Sequence, residues 1–264
     1  MTTEPTIAHQ RREDSRTTAE EALRRYWDDD AATYDGWREH GAWSPGERAT
    51  WTAALGRLLP PAGAKVLDVG AGTGFLSLAA ARLGYEVTAL DISPGMLARL
   101  QRTAADEGLH VQTVCAPAHE PPAGPFDAIM ERLALWTLPD PEQALAAWRE
   151  ITPGRLVAFE GLWTGRDYVE GVRRRARGLL RRARRVAPEH HAPAPELQAA
   201  LPSTGDVSPN AFVELIEAAG WRCPELVRLR DVEWSRRLAL PPLDRLAGVT
   251  PEYAITARAQ AVCA

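Results

Sequence analysis

Lysine is nearly missing from this 264-residue chain: of its 31 basic residues only Lys65 is a lysine, the rest being arginine. A phosphate cradle ending in Gly-Lys-Ser/Thr is therefore excluded, because Lys65 precedes the glycines instead of following them. Cysteine is as scarce. Cys115, Cys223 and Cys263 are scattered and odd in number, with no CxxC pair, which argues against a zinc site or a disulfide framework and for reduced thiols in a cytoplasm. No run approaches the roughly 20 apolar residues that cross a bilayer, and "MTTEPTIAHQRREDSRT" at the start lacks the apolar stretch of a secretory signal. Net charge is small, −4, with 45% hydrophobic and 25% charged residues. That balance gives no global reason to expect nucleic acid or a membrane as partner. A cytoplasmic globular domain with elaborations is expected, with residues 1–17 a disordered tail.

What is present organises itself from about Thr18. A helical, Trp- and Tyr-rich stretch, 18–59, reads as an N-terminal cap, and Ser44-Pro45 starts its last helix as N-cap and N1. From Lys65 the elements alternate: "KVLDV", "EVTAL", "HVQTV", "FDAIM" and "RLVAFEG" read as strands. Helices "FLSLAAARLG", "SPGMLARLQRTAADEG" and "PEQALAAWREI" fall between them. Strands alternating with helices imply βαβ units, hence a parallel sheet with helices on both faces. After Gly161 the rhythm breaks, and residues 163–205 read as an inserted helical lid containing "RRRARGLLRRARR". The core, 60–162, resumes at 206–264 with a helix "SPNAFVELIEAAG", a strand in "ELVRLRDVEW" and a last strand in "EYAITARA".

The run "VLDVGAGTGF", Val66 to Phe75, carries most of the chemistry. The dinucleotide fingerprint wants Gly-x-Gly-x-x-Gly; Gly70 and Gly72 fit, but the third glycine arrives one residue early, at Gly74. Asp68 sits at the rim, where a carboxylate beside a pyrophosphate is repelled by several times RT. The same charge suits a cation. S-adenosylmethionine carries a sulfonium and an ammonium and no phosphate, and glycines let backbone approach it closely. Asp91, closing the second strand, can accept hydrogen bonds from both ribose hydroxyls, since an ionised carboxylate is purely an acceptor.

With these residues in hand, the stretch "KVLDVGAGTGFLSLAAARLGYEVTALDISPGMLARL" resembles the class I S-adenosylmethionine-dependent methyltransferases. Weaker similarity runs through "FDAIMERLALWTLPDPEQALAAWREI" to "RLVAFEGLW". It is most similar to bacterial methyltransferases of specialised, antibiotic-type small-molecule metabolism. The resemblance implies a Rossmann-like, seven-stranded, mostly parallel α/β sheet with an N-terminal helical cap and an inserted lid. It implies that Asp68, Gly70, Ala71 and Gly72 hold the methionine end and that Thr73 and Gly74 complete the turn. Asp91 would bind the ribose, Ile92 and Met96 would flank the adenine, and Glu131 and Arg132 would supply backbone near the amino group. An acidic residue often follows the third strand in the family; here Pro117 fills that slot, leaving the Ala118 N–H and His119 for the adenine. Leu133 stands where relatives often carry His.

Methyl transfer is an in-line displacement, so a general base is needed only where the acceptor must lose a proton. Glu160, His40 and His119 are the base candidates, Glu160 and His40 being named as catalytic. No metal site is expected. Tyr34, Trp37, Trp136 and Trp163 are assigned to a substrate pocket, whose aromatic walls suit a flat or apolar acceptor and can attract the sulfonium. The arginine run is read as a solvated face, and a homodimer is left open. The expected function is methylation of a small molecule, at O or N. The alternatives are a C-methyltransferase or a donor-binding cyclase, a peptide N-terminal methyltransferase, and an NAD-dependent oxidoreductase.

Overall fold

The computed structural model describes residues 4–36, 44–161, 168–183, 197 and 208–260. Its centre is a sheet of seven strands: β1 (Lys65–Val69), β2 (Glu86–Asp91), β3 (Val111–Cys115), β4 (Ala128–Arg132), β5 (Arg155–Gly161), β6 (Arg222–Arg228) and β7 (Glu252–Arg258). They lie in the order β3-β2-β1-β4-β5-β7-β6. The first five pair in parallel, and β7 runs antiparallel to both β5 and β6. Parallel strands are buried on both faces and so read as near-continuous apolar runs; β1 is buried from Val66 to Val69. The helices are α1 (Glu4–Asp30), α2 (Pro45–Leu58), α3 (Phe75–Arg82), α4 (Pro94–Asp106), α5 (Pro141–Glu150), α6 (Tyr168–Ala183), α7 (Pro209–Ala218), α8 (Arg230–Leu238) and α9 (Pro242–Ala247).

Four of these helices begin in the same way, with a side-chain cap followed by proline. Ser44, Ser93, Asp140 and Ser208 each accept from a backbone N–H in the first turn, which satisfies a donor the helix cannot, while proline at N1 has none to lose. One apolar layer gathers Trp148, Leu145, Phe212, Ile216 and Trp221 against Leu67, Ile129 and Leu156. The opposite layer packs Trp51, Leu55, Leu76 and Phe159 against Val66, Met130 and Val157. The strand order reverses between β1 and β4, and ligands in such sheets bind at the carboxyl ends beside that switch. In register, Val69 lies level with Leu90 and with Glu131. One step further along the strands brings Gly70, Asp91 and Arg132 to adjacent tips.

Three expectations need correction. The segment read as a tail is helical from Glu4, as part of the 27-residue α1; ion pairs one turn apart, Arg16–Glu20 and Arg24–Asp28, support so polar a helix. The strand in "ELVRLRDVEW" ends at Arg228, and "RDVEW" opens α8, where Val232 and Arg236, four apart, share the buried face. Cys223 is disulfide-bonded, against the expectation of reduced thiols, while Cys115 is free. Of the lid, α6 falls within the described residues and hydrogen-bonds through Arg177 to the Ala247 carbonyl of α9.

Candidate active site

A cavity opens at the switch point. Its floor is the strand tips: Val69, Gly70, Gly72, Leu90, Asp91, Ile92, Arg132 and Leu133. Gly70 has φ +66, and a Cβ there would stand 2.7 Å from the Cβ of Ala134, so backbone must approach backbone at that point. The Gly70 and Ala71 N–H groups both donate to the Leu90 carbonyl, at 2.9 and 3.1 Å, which fixes the loop against β2.

Asp91 is the carboxylate that faces the cavity. Its Oδ2 accepts from the Gly72 N–H at 2.7 Å and its Oδ1 from the Ser93 N–H at 2.8 Å. Each oxygen keeps a second lone pair for a donor. Burial pushes its carboxyl up to about 6, the two backbone bonds opposing the shift. Asp68 behaves differently. It lies beneath the loop, buried, with Oδ2 accepting from the Ser77 hydroxyl at 2.5 Å. Burial pushes it up to about 7, the Ser77 bonds opposing the shift, and its hydroxyl partner Ser77 lies in the first turn of α3.

The roof is α1. Arg16, Glu20, Leu23 and Trp27 all line the cavity, and their spacing of four, three and four places them on one helix face. Two anchors hold the roof down. Asp28 Oδ1 accepts from the Ser93 hydroxyl at 2.6 Å and from the Gly95 N–H at 3.0 Å. Asp35, just beyond α1, takes the Thr73 hydroxyl at 2.5 Å and pairs with Arg99 at 3.1 Å. At the far end Arg16 donates to Gln143 of α5 at 3.0 Å. Tyr34 lines the wall with its ring edge-on to Trp27; burial first, with nearby carboxylates adding to it, pushes its hydroxyl up to about 12, so it remains a hydrogen-bond donor.

Of the residues singled out from sequence, the cavity gathers Gly70, Gly72, Asp91, Ile92, Met96, Ala118, His119, Arg132 and Tyr34. Ala71, Thr73 and Gly74 shape the turn without forming its wall; a Cβ on Gly74 would stand 2.7 Å from Leu100. Trp136 packs on the apolar layer around Trp148, not into the cavity. Trp37, His40 and Trp163 lie outside the described residues. Glu131 and Glu160 are buried, 0% and 2% exposed. Glu131 Oε2 accepts from the Ala134 N–H at 2.9 Å, which braces the cavity wall from behind. Burial raises Glu131 to about 8, and burial together with the neighbouring Glu131 raises Glu160 well above the usual carboxylate range. Among the described residues no well-formed hydrogen bond reaches either Glu160 oxygen, and the raised, buried acid favours its neutral form behind the wall. Arg132 lies over the rings of Phe75 and Trp51, at 4.5 and 5.3 Å.

Sequence reasoning missed the roof residues Arg16, Glu20 and Leu23 and the wall at Leu138-Pro139-Asp140. The one-face spacing on α1 was a readable signal. That this face covers the strand tips depends on Asp28 and Asp35 reaching α4, which no local pattern shows.

A sheet of this order, with a glycine turn and a strand-end carboxylate below one cavity, has the Rossmann-like fold of the class I methyltransferases. Residues 66–153, from β1 to the loop before β5, match the family described as "Methyltransferase domain". The chain is 42% identical over 93 residues to a ubiquinone biosynthesis O-methyltransferase of Xanthomonas axonopodis pv. citri, covering 34% of this chain and 38% of that protein. It is 36% identical over 130 residues to the protein of that name in Xylella fastidiosa, covering 44% and 52%. The chain thus spans about half or less of the length of these curated relatives. In fold it is similar to the putative methyltransferase solved with the Haloferax volcanii Trm112 methyltransferase activator, with TM-score 0.58 and 18% identity over 91% of this chain and 99% of that one.

Proposed function

We propose that this chain transfers a methyl group from S-adenosylmethionine to an oxygen of a small, flat or apolar acceptor in specialised metabolism. The observation that carries the reading is the pairing of Gly70 and Asp91 at the floor of one roofed cavity. The glycine admits backbone where a side chain would collide with Ala134, and the carboxylate retains lone pairs for a diol. Oxygen as the acceptor atom is supported by the names of the curated relatives.

The residues present fit the donor. Gly70, Gly72 and the Arg132-Leu133 backbone would take its methionine end, Asp91 its ribose, and Ile92, Met96 and Leu138 the faces of its base. When bound, this donor supplies an electrophilic methyl on a sulfonium, already a good leaving group. The chain's own task is then alignment and exclusion of water. Positioning alone can supply about 7–11 kcal/mol. The α1 roof covers the cavity, Tyr34 offers a protonated hydroxyl beside the glycine turn, and Arg132, stacked on Trp51 and Phe75, lines the floor. Glu160 is enclosed behind the wall and has no part in this scheme.

The test is transfer of isotopically labelled methyl from the donor to a panel of phenols and catechols, amines and carbon acids. Label on a phenolic oxygen is expected. Label on carbon, or an unconsumed donor with every acceptor, overturns the reading.

A further inference from the structure

Part of the cavity's lining is apolar and forms a slot. Ile92, Met96, Leu138 and Leu23 line it, and Pro117, Ala118 and His119 close its edge. A flat heteroaromatic base fits such a slot, and an exocyclic amine on its rim needs an acceptor, since a donor left unpaired on burial costs about 1–3 kcal/mol. The loop after β3 offers no carboxylate against the slot itself, because Pro117 stands there. Among the described residues three carboxylates line the cavity: Glu20, Asp91 and Asp140. Asp91 is tied to the Gly72 and Ser93 N–H groups at the floor. Asp140 caps α5 through the Gln143 N–H at 3.0 Å.

Glu20 is held differently. Its Oε1 faces His119 Nδ1 at 3.2 Å and Arg16 Nε at 3.6 Å. His119 in turn is steadied on its other side by Glu120, 3.4 Å from Nε2. No contact among the described residues engages Glu20 Oε2. The roof helix therefore delivers a carboxylate to the slot's edge with one oxygen clamped and one to spare. Only 19% of the Glu20 side chain is exposed, so a bond made there competes with little water.

We propose that Glu20, reaching down from α1 and clamped by His119 and Arg16, reads the exocyclic amine of the bound purine and so selects adenosyl over its deaminated counterpart. The proposal rests on the donor reading above and deepens it: base selectivity is supplied by the N-terminal roof and not by the sheet.

The test compares S-adenosyl-L-homocysteine with S-inosyl-L-homocysteine, whose purine carries a carbonyl in place of the amine, by calorimetric titration of the full chain. The unmodified protein should prefer the adenosyl form by about 10- to 100-fold, the range for a hydrogen bond to a charged group. In Glu20→Ala that preference should fall to within about threefold, adenosyl binding weakening while inosyl binding stays put or improves. Glu20→Gln, isosteric and still carrying a carbonyl oxygen, should restore part of it. A preference that survives Glu20→Ala, or that vanishes in Asp140→Asn instead, overturns the assignment while leaving the donor reading standing. If the unmodified protein binds neither form, the donor reading itself fails and takes this proposal with it.

Discussion

Replacing Asp91 with Asn tests the site at its floor. The side chain keeps its shape and loses its charge. Its remaining carbonyl oxygen can still accept the Ser93 N–H, now 2.8 Å away, but the amide nitrogen then faces the Gly72 N–H across 2.7 Å, donor against donor. A diol that would have donated two hydrogen bonds to a carboxylate finds at most one neutral acceptor. Bonds to charged groups contribute about 1.5–3 kcal/mol each and neutral ones about 0.5–1.5, so trading two of the first for at most one of the second costs about 2–3 kcal/mol, on the order of 30- to 100-fold in Kd. Calorimetry with S-adenosyl-L-homocysteine reads this directly. The pH profile adds a second readout. Burial holds the Asp91 carboxyl up at about 6 in the free protein, and a diol favours the ionised form, so affinity should climb as pH rises through about 6 and then level. In Asp91→Asn that climb should flatten. Affinity within threefold of the unmodified protein, or an unchanged climb, refutes the ribose assignment.

Three further outcomes follow from the same geometry. Gly70→Ala puts a methyl 2.7 Å from the Ala134 Cβ at φ +66; about 1–3 kcal/mol of stability should be lost in urea unfolding, with nucleoside affinity falling more than tenfold. Asp28→Ala unties α1 from Ser93 and Gly95, and should weaken S-adenosyl-L-homocysteine about 3- to 10-fold while exposing α1 to faster amide exchange; unchanged exchange would contradict the anchoring role. Glu160→Gln concerns pH and stability. Glu160 and Glu131 both have raised folded-state values, so their stabilisation is complete below the ordinary carboxylate range and is lost as pH rises above it, for Glu131 through about 8. The variant should therefore narrow the gap in urea midpoint between pH 5 and pH 8, and keep kcat within threefold; an unchanged gap counts against the buried neutral acid.

The sheet was largely legible because its strands are buried on both faces, and "KVLDV" or "RLVAFEG" carry that burial locally. The glycine turn was legible for a similar reason: strand, tight turn and helix start lie within ten residues. Contacts between distant segments were not. Asp68 looks in sequence like a ligand to the cation, yet in space its nearest donor is the Ser77 hydroxyl. Trp136 sits in a motif between β4 and α5, and nothing in that motif says that it packs on the apolar layer and leaves the cavity lining to its neighbours. "RDVEW" continues the alternation of the strand before it, and only the packing of Val232 and Arg236 on one face resolves it as helix. Glu20 is one of many charges on a polar helix until α1 is laid over the strand tips.

The central claim is that the cavity takes a nucleoside sulfonium and no dinucleotide. Calorimetric titration of the full chain with S-adenosylmethionine, S-adenosyl-L-homocysteine and NAD measures it most directly. Saturable one-site binding of the first two, abolished or weakened about 30- to 100-fold in Asp91→Asn, with no heat from NAD, is the predicted result. Saturable NAD binding with no response to the other two would contradict the account.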